Sequence, residues 1–273
     1  MGVEPVGGGA YDPEMDPHAF ELVCEVEPAV RPDLMYVRHQ IGVMSRIATA
    51  FLIPDNHIGR ATVSSIAVAH EVALMGGRAI ACLNARDRNI LGFRRDLLTA
   101  AAYGVNEFLF VYGDRPETGA RSDDLTVRSM MAEARRFCED STLATRPFRI
   151  GVTSGLRPLP AWKRDSDFLF VQVGFSLDAL LAWRTSVDFA GPIYAGVMVV
   201  PSATMARKLS STIPELAVPE PIIRRIELDR DAGIDLACEL ISGIGASGAF
   251  DGVHLIPVNR YREMAARLDG LID

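Results

Sequence analysis

Eight short apolar runs, each followed by a longer amphipathic or loop-like stretch, constrain this chain more than any other feature. They are FELVCEV (20–26), ATAFLI (48–53), RAIACLN (78–84), EFLFVYG (107–113), FRIGVTS (148–154), DFLFVQVG (167–174), PIYAGVMVV (192–200) and GVHLIPV (252–258). Most are continuous rather than alternating, which is the pattern of parallel strands buried on both faces. Helix-like segments at 62–76, 90–103, 123–138, 176–188, 202–212, 229–244 and 259–271 lie between them. Repeated β-α units over 273 residues predict an α/β chain forming a single-domain (βα)8 TIM barrel over 20–273. Residues 1–19, rich in Gly, Pro and acids, read as a flexible N-terminal tail. An open doubly wound sheet is the structural rival. It calls for a glycine-rich turn after the first strand, where this chain has Glu25-Val26-Glu27-Pro28.

Two units depart from the repeat. Only LRPLPAWKRD (156–165), with two prolines, joins the fifth and sixth strands, so a shortened unit without a full helix is expected there. The opposite deviation follows the segment 202–212, where LAVPEPIIRRIEL (216–228) is inserted before the next helix.

Charge and cysteine usage exclude several functions. The formal net charge of −7 argues against nucleic acid, which needs a basic surface. Cys24, Cys82, Cys138 and Cys238 stand far apart with no C-x-x-C pair, so neither a zinc site nor a disulfide framework is expected. His57 and His254 lack His or Cys companions at ligand spacing, and no metal is expected. No run approaches the roughly 18 apolar residues of a membrane span. The first residues also lack the pattern of a signal peptide. A cytoplasmic enzyme is the expectation; an oligomer is left open.

In a barrel of this type the active site forms at the C-terminal ends of the strands. The polar residues there are Glu25 and Glu27; Asp55, Asn56 and His57; Asn84, Arg86, Asp87, Arg88 and Asn89; Asp114; Gln172; His254 and Asn259. Each alone is compatible with a cap, a turn or a solvated rim. Glu27, two residues on, competes with Glu25 for any acid role. Gln172, read as part of an apolar strand, must find a buried partner or face a pocket.

Taken together these residues resemble one family. Cys24-Glu25-Val26-Glu27-Pro28 is similar to the first-strand E-x-x-P of methylenetetrahydrofolate reductases. Ile53-Pro54-Asp55-Asn56-His57-Ile58-Gly59 resembles a D-N-P-G-G loop. Arg86-Asp87-Arg88-Asn89 with Gly104-Val105-Asn106 and Tyr112-Gly113-Asp114 resembles C-R-D-R-N…G-I-x-N…x-G-D. Val171-Gln172-Val173-Gly174-Phe175 resembles T-Q-x-x-[FY]. Gly196-Val197-Met198 and His254…Asn259-Arg260 fall where the family has G-I-[LM]-P and F-H-x-Y-x-x-N-R. The likeness runs in order over roughly residues 20 to 262.

The resemblance implies reduction of 5,10-methylenetetrahydrofolate to 5-methyltetrahydrofolate. It implies Glu25 as the acid that protonates the pterin side and opens the methylene bridge, Asp114 near hydride donor and pterin, and Gln172 on the pterin edge. Asp55, Asn56, Asn84, Arg86, Asp87, Tyr112, Phe175, Asn259 and Arg260 are the implied substrate- and cofactor-binding residues. Three departures bear on the cofactor. Cys82 stands where flavin-binding members have His, Thr153–Pro160 replaces Y-P-E-x-H-P and its following basic helix, and Ala203 replaces a stacking aromatic. The leading expectation is therefore hydride transfer directly from a reduced nicotinamide, NAD(P)H, to the folate. The alternatives are an FAD-dependent version of the same reaction, or of its reverse, and a non-catalytic folate-binding subunit of a methyl-transfer complex.

Overall fold

The computed structural model describes residues 20–143 and 146–272; the tail expected over 1–19 lies outside the described residues. Eight strands pair in parallel in chain order: β1 (Glu21–Glu25), β2 (Ala50–Ile53), β3 (Ala79–Asn84), β4 (Glu107–Val111), β5 (Arg149–Ser154), β6 (Phe168–Val171), β7 (Ile193–Met198) and β8 (Gly252–Ile256). β8 returns to β1, with His254 opposite Val23, and closes the barrel. All eight apolar runs are strands, as the sequence predicts. Most strands end before their apolar runs do, because buried residues such as Val26, Val173 and Val200 continue past the last ladder positions.

The helices outside the barrel are α1 (Met35–Met44), α2 (Ser65–Leu74), α3 (Ile90–Ala102), α4 (Val127–Glu139), α5 (Leu177–Thr185), α6 (Ala203–Thr212), α7 (Glu220–Leu228), α8 (Ala232–Ser247) and α9 (Tyr261–Ile272). Side-chain caps start several of them: Asn89 accepts the Gly92 amide at 2.8 Å, and Thr126 and Ser129 form a reciprocal capping box. α1 is absent from the sequence-based assignment. Its buried positions, Val37, Gln40, Ile41 and Met44, have helical spacing, but one of the four is polar, which weakens the apolar periodicity. Gln40 is satisfied by the Glu27 backbone, accepting its N–H at 2.9 Å. α7 lies in the stretch that reads as an insertion. The β5–β6 connection holds only a short 3-10 helix, Ala161–Asp165, in agreement with the shortened unit.

Inside the barrel, Val23, Ala50, Leu52, Ile80, Cys82, Leu109, Phe168, Phe170 and Tyr194 form one apolar cluster, separate from the larger core between strands and helices. The Phe168 ring fills the lumen beside Gly151, where a β-carbon would come within 2.0 Å of it. Below, Arg78 pairs with Glu21 at 2.8 Å and Glu107 at 2.9 Å, Arg149 adds a second contact to Glu107, and the Tyr194 hydroxyl donates to Glu21. The N-terminal end is thus closed by paired charges and the lumen by rings. Open space remains at the other end.

Candidate active site

Side chains at the strands' C-terminal ends surround a cavity of about 980 Å³. Glu25 reaches it from the last position of β1, Asp114 from the loop after β4, and Gln172 from the first residue beyond β6. The structure therefore brings the three residues assigned to chemistry to one hollow. Gln172 lies outside the ladder, although its backbone N–H still donates to Ser154 at 2.8 Å. Its exposed side chain meets the alternative of a buried partner or a pocket with a pocket. β7 passes close to this point: a β-carbon on Gly196 would come within 2.6 Å of the Val171 carbonyl.

Glu25 and its competitor Glu27 have different surroundings. The Glu25 carboxylate is 16% exposed, and its Oε2 lies 3.1 Å from Nε2 of His254 on β8. Glu27 is absent from the main cavity's lining and borders, together with Glu25, a smaller neighbouring cavity of about 300 Å³. Its carboxylate accepts from the Tyr36 hydroxyl at 2.9 Å and from the Asn259 backbone N–H. Asn259 has φ 60°, a left-handed conformation that non-glycine residues seldom adopt and that Asn tolerates best. Glu27 is thus committed to holding the β8 loop against α1, whereas Glu25 faces the main cavity. Asp114, exposed on the rim, accepts the Ile58 amide at 3.0 Å and ties the loop after β4 to the one after β2.

Most of the assigned binding residues form a lock beneath the rim. The Asp55 Oδ2 accepts from the Asn84 amide and side chain, each at 3.0 Å, and from Arg88 at 2.5 Å. The Asp87 carboxylate accepts from Asn56, Asn84 and Arg88, and Arg88 also reaches Asp96 at 2.9 Å. Burial pushes the Asp55 carboxyl's pKa up, while Arg88 and Asn84 pull against that shift. Gly113, with φ 89°, passes so close that a β-carbon there would lie 2.7 Å from that of Asn84. Asp55 touches the cavity; Asn56 exchanges bonds with Thr62 and reaches Asp87, and Asn84 bonds Asp55 and Asp87, so none of Asn56, Asn84 and Asp87 lines it. Tyr112 also lines the cavity, with the guanidinium groups of Arg86 at 4.5 Å and Arg121 at 5.1 Å from its ring centre. Phe175 packs instead on the α6–α7 cluster, and Arg260 pairs with Glu263 at 2.9 Å. Neither borders the main cavity.

Other residues at the cavity are absent from the sequence-based site. The β5–β6 segment contributes Arg157 and Lys163, whereas Arg164 faces Asp188 outside. Burial first, and then the nearby Arg157, lowers the Lys163 pKa; its ammonium donates to the Thr153 carbonyl at 2.6 Å. The turn between α6 and α7 hangs Ile213 and Glu215 over the mouth, which no local motif announces. His254 stands in a motif of the resemblance, and its place on a strand beside β1 was the available signal. Among the described residues no group of three His, Cys, Asp or Glu side chains is arranged to hold a metal ion, and no helix is long and apolar enough to cross a membrane.

Residues 163–270, from the β5–β6 turn to α9, match the model of the family described as methylenetetrahydrofolate reductase. No curated protein matches the chain. Among solved structures, it is similar to an uncharacterized protein from Clostridium thermocellum that binds two copies of 5-methyl-5,6,7,8-tetrahydrofolic acid. That likeness has a TM-score of 0.58 at 8% identity and covers 93% of this chain and 97% of the other. It is also similar to EDTA monooxygenase from Chelativorans sp. BNC1, with a TM-score of 0.53, 9% identity and 93% of both chains covered. At such identities the likeness shows the barrel fold alone. The family match spans Gln172, His254 and Asn259 on a closed eight-stranded barrel, and over residues 163–270 the chain is similar to the methylenetetrahydrofolate reductase family.

Proposed function

We propose that this chain reduces 5,10-methylenetetrahydrofolate to 5-methyltetrahydrofolate, taking hydride directly from a reduced nicotinamide bound beside the folate. The observation that carries the reading is the convergence of Glu25, Asp114 and Gln172 on one cavity at the catalytic end of the barrel. The family match over residues 163–270 and the folate bound by the structurally similar Clostridium thermocellum protein support the substrate class. Glu25 gives its proton to an amine nitrogen of the substrate, and the methylene–nitrogen bond breaks with its electron pair on that nitrogen. An electrophilic iminium is left to accept hydride. Gln172, with both donor and acceptor on one amide, suits the pterin edge. Asp114 sits at the junction of the β2 and β4 loops, against the same reacting centre.

Direct transfer is favoured over a resident flavin by the β5–β6 segment. A dinucleotide's pyrophosphate is commonly held at a helix N-terminus with cationic partners. Here a five-residue 3-10 helix stands in that place, Lys163 is bonded to Thr153, and Arg157 is the remaining cation of the segment at the cavity. A flavin, if bound, would relay the hydride between nicotinamide and folate. The test is an assay of purified protein with methylenetetrahydrofolate and NADH or NADPH, without added flavin. Stoichiometric nicotinamide oxidation and 5-methyltetrahydrofolate formation are expected. Absence of product under all donor conditions, with folate still bound, would leave the folate-binding subunit as the reading.

A further inference from the structure

The contact between His254 and Glu25 has a part to play in the chemistry, and the inference rests on the functional reading above. His254 is largely buried on β8, with Phe170 edge-on to its ring at 5.2 Å between centroids. Neighbouring β1 and β8 set the pair: Val23 stands opposite His254, and Glu25, two residues further along the same face, extends over the imidazole. The other ionisable groups lining the cavity are Asp55, His57, Cys82, Tyr112, Asp114, Arg157, Lys163 and Glu215. Among the described residues, Glu25 is the one side chain that hydrogen-bonds the His254 ring.

A buried ring with one polar partner is oriented by it, and the partner is oriented in return. We propose that His254 is the positioning residue of the acid: its Nε2–H donates to Glu25 Oε2 and leaves Oε1 to carry the proton toward the substrate. When that proton moves to the substrate nitrogen, Glu25 becomes a carboxylate. The bond from His254 then becomes charge-assisted, roughly twice as strong as a neutral one. It therefore favours the state after proton transfer over the state before it, which is the condition for accelerating the step. The imidazole keeps its own proton throughout. Glu25 is reprotonated by water entering the cavity after product leaves, so the cycle needs no further co-reactant.

His254→Leu removes the donor, and His254→Gln restores an amide N–H of similar reach. In the turnover assay His254→Leu is expected to lower kcat roughly 10- to 100-fold, a fraction of what general acid catalysis supplies, with KM for folate nearly unchanged. His254→Gln should recover most of the loss. The falling limb of the kcat–pH profile should move to higher pH in His254→Leu, because a bond that favours the ionised acid has been removed. A 15N NMR measurement of the histidine ring reads the same contact without turnover. It should show the Nε2–H tautomer in the intact protein and a displaced Nε2 signal in Glu25→Ala. An Nδ1–H tautomer, an Nε2 signal indifferent to Glu25→Ala, or a His254→Leu enzyme with unaltered kcat and pH profile would overturn the assignment. An intact protein inactive with folate and nicotinamide would instead overturn the functional reading, and the NMR result separates the two.

Discussion

Glu25 and Glu27 stand two residues apart at the end of one strand, and their surroundings separate them. Glu27 accepts from Tyr36 and Asn259, whereas Glu25 has His254 on one oxygen and the cavity before it. Glu25→Gln should lower kcat by roughly 10²–10⁴ while folate binding is retained, because the amide keeps the shape and cannot give a proton. Glu27→Gln should spare kcat and instead cost about 0.5–1.5 kcal/mol of stability for each hydrogen bond weakened, measured by urea unfolding. Equal loss of activity in both variants would undo the distinction. At the same scale, burial pushes the Cys24 thiol up to about 12. A thiolate is the reactive form, so Cys24 should resist alkylation at pH 8, and mass spectrometry should find half-buried Cys138 modified first. Glu25 was legible in the sequence as a carboxylate at a strand end. What singles it out over Glu27 was not, because Tyr36 and His254 are brought up by α1 and β8 from elsewhere in the chain.

Among the elements, the loops after β2 and β3 are locked through Asp55, Asn84, Asp87 and Arg88. The Asp55 side chain is 4% exposed and that of Arg88 12%, so Arg88→Met leaves a buried carboxylate without its cation. A loss of roughly 3–5 kcal/mol in unfolding free energy is expected, since breaking one side of a buried pair exposes its desolvation cost. A loss below about 1 kcal/mol, the usual worth of an exposed pair, would mean the lock is solvated and weak. The R-D-R-N motif was visible in the sequence as a string of polar residues. That Arg88 binds Asp55 emerges only once strands β2 and β3 lie side by side. The β5–β6 segment was fully legible, since two prolines in ten residues forbid a regular helix. α1 was not, because buried Gln40 interrupts its apolar face and is satisfied by a distant backbone. From the β5–β6 segment it follows that protein purified without added flavin should show no stoichiometric flavin absorbance; a yellow protein bleached by NADH would contradict this.

For the whole molecule, closure of the barrel decides where chemistry can occur. Paired charges fill the N-terminal end, rings of Phe168, Phe170 and Tyr194 fill the lumen, and the cavity opens at the C-terminal end. Eight continuous apolar runs made that architecture readable, because strands buried on both faces leave few polar interruptions. The contribution of the α6–α7 turn to the mouth was not readable, since Ile213 and Glu215 approach the cavity only through tertiary packing of their helices. The central claim concerns one event in that cavity, passage of hydride from nicotinamide carbon to folate carbon. Its most direct test is turnover in ordinary water with NADH carrying deuterium at the transferred position. Direct transfer predicts one deuterium in every methyl group of the 5-methyltetrahydrofolate formed. A methyl group from which the label has been lost to solvent would show that an exchangeable carrier such as a reduced flavin intervenes, and would contradict the account.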